Sequence, residues 1–145
     1  MGCDIHLYIE KKVRGEWICI SPMVMNKYSD PLPYSRRKYQ EIYDSRNYSL
    51  FAFLANVRGE NPNGFGEPRG LPLDVSKDVN DMAEEWGMDG HSHSWVSLKE
   101  IKENMVDDFV FDFQEVIDFC EQYTWNYELG EHKEDEVRIV FWFDN

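Results

Sequence analysis

Positive charge is scarce in this sequence. Lysine and arginine number 15 against 28 aspartates and glutamates, which gives a net charge of −13. Because binding along a nucleic-acid backbone requires lysines and arginines that displace counterions, this balance argues against an extended nucleic-acid partner. An acidic chain of this kind suits the cytoplasm, and that is the location we expect.

Cysteines and long apolar runs are also few. The three cysteines, at positions 3, 19 and 120, are widely spaced and form no CxxC pair, which argues against a disulfide framework and a zinc knuckle. No apolar run reaches 18 residues and no charged-then-apolar leader opens the sequence, so we expect neither a membrane span nor a secretion signal.

Ser92 has no GxSxG context, which argues against an acyl-transfer triad.

The remaining composition indicates one folded domain over residues 1–145. Hydrophobic residues make up 42% and aromatic residues 15%, enough for a core that needs no metal or disulfide. Apolar and polar residues alternate strictly over residues 3–10, and Gly15 separates this stretch from a second apolar run, which predicts a hairpin. Residues 140–143 are apolar on nearly both faces and predict a central strand. Helix N-cap signals occur at Asn47, Ser76, Ser97 and Asp112, and a short helix is expected over 35–43. These patterns predict an α+β fold, in which a small, mostly antiparallel sheet of the N-terminal hairpin and the C-terminal strand packs against about four helices.

Two short segments predict a metal site. Asp4 and His6 lie two apart on one strand face, roughly 7 Å along the chain, and the same alternation returns in a glycine-flanked turn at Asp89, His91 and His93. Imidazole and carboxylate together suit a divalent transition metal, with zinc or manganese expected. In the alternative interpretation, the turn histidines bond to backbone or pack on tryptophans, and the strand pair satisfies itself.

Three arginines predict an anion site. Arg46 precedes the first helix, Arg58 lies at its end, and Arg69 lies within the proline-rich loop that follows. The planar guanidinium of arginine binds phosphate through two hydrogen bonds at once. Alternatively, the first two are surface residues and Arg69 pairs with Glu67. We interpret Lys11, Lys12 and Arg14 as a solvated turn, and the aromatic series Trp125, Tyr127, Trp142 and Phe143 as core.

Several of these segments together resemble a known group of sequences. The segments "MGCDIHLYIE", "GEPRGLPLDVS" and "DGHSHSWVSLKE" resemble, in order and across nearly the whole chain, small proteins encoded by bacteria and their phages. The resemblance implies a bacterial or viral cytoplasmic setting, and it implies no particular activity.

Three functions are compatible with the sequence. The first is a metal-dependent phosphoester hydrolase acting on a nucleotide or another small phosphate compound. Its ligands would be Asp4, His6, Asp89, His91 and His93, its catalytic carboxylates Glu67 and Asp89, and its substrate-binding residues Arg46, Arg58 and Arg69. The second is a non-catalytic protein that sequesters a nucleotide or small anion, and the third is an acidic inhibitor that binds another protein. All three are expected to act without a membrane partner, and the oligomeric state is left open.

Overall fold

The computed structural model describes residues 2–23, 39–105 and 107–145. Strands β1 (Asp4–Val13) and β2 (Glu16–Cys19) form the predicted hairpin, whose two-residue turn places Arg14 and Gly15 at positive φ, 52° and 83°. Helices α1 (Tyr48–Ala55) and α2 (Lys77–Trp86) follow, then strand β3 (His91–Ser97) and helices α3 (Leu98–Asn104) and α4 (Asp107–Glu121). A small hairpin, β4 (Trp125–Asn126) and β5 (Glu131–His132), precedes the last strand, β6 (Val137–Asp144).

The four long strands form one antiparallel sheet in the order β2-β1-β6-β3. The chain therefore has the predicted α+β fold, and β6 lies inside the sheet as its apolar sequence indicates. Because side chains alternate between the two faces of a strand, each face has its own core. One face packs with α1, α3 and α4, and the other with α2 around Tyr8, Val140 and Trp142.

Local cap signals set most of the helix starts. Asn47 and Ser76 accept hydrogen bonds from backbone N–H groups of the first turns of α1 and α2, and Ser97 with Glu100 forms a reciprocal capping box at α3. The predicted start at Asp112 is wrong, because α4 begins five residues earlier. The Asp112 carboxylate instead accepts hydrogen bonds from Tyr43 and Asn47.

Two further expectations concern loops. Of the short helix expected over 35–43, residues 35–38 lie outside the described part of the chain, and residues 39–43 are not helical. The loop after α1 is anchored where Gly64 passes the backbone of Phe53, since a Cβ at Gly64 would lie 2.3 Å from the Phe53 carbonyl oxygen. None of the described helices is long and apolar enough to cross a membrane.

Candidate functional site

The predicted metal ligands gather at one end of the sheet, where β1 and β3 begin and β6 ends. His6 on β1 is buried there. Its Nδ1 lies 2.5 Å from Glu41 Oε1 and its Nε2 lies 3.0 Å from Asp144 Oδ1, while its ring lies 4.0 Å from the Trp86 ring. Burial lowers the pKa of His6, but the hydrogen bonds and charges of the two carboxylates outweigh burial and raise it. Both ring nitrogens are therefore engaged with protein carboxylates.

Asp4 is held by an arginine. Arg46 donates from Nε to Asp4 Oδ1 at 2.7 Å and from a terminal nitrogen to Oδ2 at 3.2 Å, a two-point ion pair. The hydrogen bond from Arg46 is the main cause that lowers the pKa of Asp4. Asp4 was predicted to bind a metal and Arg46 a substrate anion, whereas in the structure the two side chains bind each other.

A β-bulge separates His91 from His93. His91 pairs with Phe143 and Ser94 with Phe141, so two residues of β3 lie opposite Trp142 alone, and Ser92 takes a positive φ of 56°. The His93 ring consequently stacks on Trp142 at 5.7 Å, whereas the His91 ring lies 6.3 Å from Phe143. Because Trp142 and Phe143 are consecutive on β6 and belong to opposite faces, the two histidine rings pack on opposite faces of the sheet.

The two segments predicted to hold a metal, residues 4–6 and 89–93, lie on opposite sides of strand β6. Trp142 lies between them, with its ring 6.4 Å from His6 and 5.7 Å from His93. Asp89 is exposed in a short 3-10 turn. Within residues 2–23, 39–105 and 107–145, no three histidine, cysteine, aspartate or glutamate side chains are grouped so as to hold a metal ion. Of the two interpretations of the histidines, packing on tryptophan agrees with the position of His93.

The three predicted anion-binding arginines also lie apart. Arg46 and Arg58 are near the start of β1, where Arg58 lies 5.1 Å from the Tyr48 ring. Burial raises the pKa of Cys3, and the nearby Arg58 opposes this rise. Arg69 is at the other end of β3, where it donates to both carboxylate oxygens of Glu100 at 3.0 and 2.7 Å. The alternative pairing of Arg69 with Glu67 is not formed, because Glu67 is exposed and accepts from Asn56.

Arg69 lines a cleft of about 640 Å³, which we call the arginine cleft, together with Arg138, Trp17 and Trp95. The guanidinium of Arg138 lies 3.8 Å from the Trp17 ring and that of Arg69 lies 5.0 Å from the Trp95 ring. Arg138 also donates to Glu10 and Asp74. Since both guanidiniums are neutralised by protein carboxylates, this cleft offers little to an anion.

A second groove, which we call the aromatic groove, is lined by exposed apolar and aromatic side chains. It lies between the β1–β2 hairpin and the β4–β5 hairpin and has a volume of about 640 Å³. Four large apolar side chains on its lining are exposed: Val13 by 41%, Ile18 by 44%, Trp125 by 38% and Tyr127 by 86%. Contiguous exposed apolar surface marks binding sites in soluble proteins. The prediction that Trp125 and Tyr127 belong to the core is therefore wrong, whereas Trp142 and Phe143 are buried as predicted.

Three cations line the same groove. Lys11 donates to the backbone carbonyl of Trp125 at 2.8 Å, with its Nζ 5.9 Å from the centre of the Tyr127 ring. Lys12 and Arg14 also line the groove, and neither forms an ion pair within the described residues. Lys11, Lys12 and Arg14 were predicted to form only a solvated turn, but they also line a groove that contains Trp125 and Tyr127.

The aromatic wall is held by its own turn. Asn126 accepts hydrogen bonds from the backbone N–H groups of Glu128 and Leu129, both at 2.9 Å, and donates to Glu136 at 2.8 Å. Trp125 packs edge-on against His132 at 5.0 Å. A turn fixed by its own hydrogen bonds orders the backbone at Tyr127 before any ligand arrives, which reduces the entropy cost of binding.

Comparison of the chain with protein-family models, with curated proteins and with solved structures gave no match. The candidate site therefore depends on its geometry alone.

Proposed function

We propose that this protein is a non-catalytic binding protein for a small planar anion, the combination of ring and phosphate that a nucleotide presents. The observation that carries the proposal is the aromatic groove, where exposed aromatic rings lie on one surface with cations that form no ion pair with any residue that the structure describes. The predicted catalytic carboxylates, Glu67 and Asp89, do not line it. For this reason we propose binding and not hydrolysis at this position.

Charge supports the anionic part of the ligand. The lining holds three cations, Lys11, Lys12 and Arg14, against two carboxylates, Glu128 and Glu136, in a chain whose net charge is −13. The Glu136 carboxylate already accepts a hydrogen bond from Asn126. A small anion can use this local excess of positive charge, whereas a long polyanion would also meet the surrounding acidic surface.

The aromatic side chains of the groove support the planar ring of the proposed ligand. Trp125 and Tyr127 approach edge to face, with ring centres 6.5 Å apart and planes at 82°. Exposed aromatic faces stack on nucleobases regardless of base identity. The volume of about 640 Å³ falls within the range of about 300–1,000 Å³ typical of small-molecule sites.

The other two functions remain predictions from the sequence. The hydrolase hypothesis needs a metal, and elemental analysis of the purified protein tests it directly. The hypothesis of an acidic inhibitor needs a protein partner. Neither hypothesis explains why cations and aromatic rings gather in one groove of an acidic protein.

Calorimetric titration with adenosine monophosphate tests the proposal. We expect saturable binding that weakens as salt is raised, because an exposed ionic contact is screened. Tyr127→Ala should weaken binding about tenfold through the loss of one stacking surface. Lys12→Ala/Arg14→Ala should weaken it and flatten its salt dependence.

Matched controls lie elsewhere on the surface. Leu73 is as exposed as a side chain can be and Lys99 is exposed, and neither lines the aromatic groove. Leu73→Ala and Lys99→Ala should leave the affinity unchanged. No binding of the nucleotide by the parent protein, or equal losses in the groove and control variants, would contradict the proposal.

A further inference from the structure

The aromatic groove continues into a second groove at the tip of the β1–β2 hairpin, which we call the turn groove. The turn groove has a volume of about 690 Å³ and contains Trp17 and Leu129. The two grooves share five lining residues: Lys12, Arg14, Asn126, Glu128 and Glu136. They are therefore two ends of one continuous surface depression.

Each end has its own aromatic ring. Trp125 and Tyr127 belong to the aromatic groove, and Trp17 belongs to the turn groove. Trp17 is half-buried, and Arg138 holds its ring by lying 3.8 Å from the ring centre. Leu129 is 62% exposed beside it. The turn groove thus offers a second apolar, aromatic surface for a planar group.

The shared middle contains charged side chains of both signs, the cations Lys12 and Arg14 and the carboxylates Glu128 and Glu136. Lys12 and Arg14 line both grooves and have no ion pair among the described residues. Arg14 sits in the hairpin turn and is exposed. A ligand with an anionic group between two planar groups would place its charge against these two side chains.

We propose that the ligand class is a free dinucleotide, with one base in each groove and the linking phosphate at Lys12 and Arg14. This inference rests on the proposed function and extends it. Each groove alone has the volume of a small-molecule site, so a mononucleotide would fill only one half. The acidic charge of the chain favours a short ligand over a long strand.

The test compares adenosine monophosphate with the dinucleotide adenylyl-adenosine by calorimetric titration. The dinucleotide carries less negative charge than the mononucleotide, so tighter binding would come from its second base. We expect it to bind about tenfold more tightly. Leu129→Ala, at an exposed position, and Trp17→Ala should each remove that gain and leave mononucleotide binding unchanged. Leu73→Ala should retain it.

The outcomes separate the two proposals. Failure of both nucleotides to bind contradicts the proposed function itself. Equal binding of the two nucleotides, or a gain that survives Leu129→Ala, overturns the dinucleotide inference and leaves the proposed function standing. A hexa-adenylate that binds far more tightly than the dinucleotide also overturns it, because the groove would then be part of a single-strand site.

Discussion

We expect the replacement of Arg138 by methionine to lower the free energy of unfolding by about 3–5 kcal/mol. Arg138 donates from Nε to Glu10 Oε1 at 2.7 Å, and the two side chains are 4% and 0% exposed. Methionine fills much of the same volume but leaves Glu10 buried beside no positive charge. At this chain length the loss corresponds to a melting temperature lower by about 10–15 °C.

A double variant separates charge from packing. Glu10 also accepts a hydrogen bond from the backbone N–H of Ser76 at 2.8 Å, at the start of α2. Glu10→Gln/Arg138→Met keeps that acceptor and removes both charges, so we expect it to recover at least half of the lost stability.

The assay is denaturant unfolding followed by circular dichroism, with the slope checked for two-state behaviour. Arg46→Met is the matched control, because the side chains of Arg46 and Asp4 are 54% and 46% exposed and such surface pairs contribute about 0–1 kcal/mol. An Arg138→Met variant as stable as Arg46→Met would refute this account of the buried pair.

Two further predictions concern the sheet end and the loop after α1. Burial lowers the pKa of His6, but Glu41 and Asp144 outweigh burial and raise this pKa above its ordinary value of about 6.5. The stability that these carboxylates supply is therefore complete below about pH 6.5, and it is lost as the pH rises through the raised pKa. Denaturant unfolding should therefore show a larger deficit for His6→Gln at about pH 6 than at about pH 9, and a deficit that grows with pH would contradict this. Gly64→Ala should lower the free energy of unfolding by about 1–3 kcal/mol, because the new Cβ would meet the Phe53 carbonyl. Asn63→Ala, next to it, is the control in thermal unfolding, and equal stability of the two variants would show that the loop moves aside freely.

The elements predicted correctly are those with local causes. Asn47, Ser76 and Ser97 begin helices through hydrogen bonds to backbone groups three residues away, so the sequence contains the whole signal. The alternation over residues 3–10 and the apolar end of the chain likewise predict two strands. The expectation that the first strand is buried on one face only is wrong, because Ile5 to Glu10 are buried on both faces of the sheet. The start of α4 was missed because Asp112, which resembles a cap, instead binds Tyr43 at long range.

The candidate site depends on distant contacts, which a single sequence does not display. His6 is bound by residues 35 and 138 positions away, so its partners could not be read from the pattern of histidines. The bulge at Ser92 separates His91 from His93, although their spacing alone places them on one face. The aromatic groove joins Lys11 to Trp125 across 114 residues. The basic turn and the aromatic residues are both visible in the sequence, but the exposure of Trp125 and Tyr127 and their proximity to the turn are not.

The central claim is that the aromatic groove binds a small planar anion, and a nuclear magnetic resonance titration of the ¹⁵N-labelled protein with adenosine monophosphate tests it most directly. We predict saturable shifts of backbone signals confined to Lys11–Ile18 and Tyr123–Glu136, with none at His6 or His93. Absence of saturable shifts, or shifts centred on the sheet end around His6 and His93, would contradict the claim.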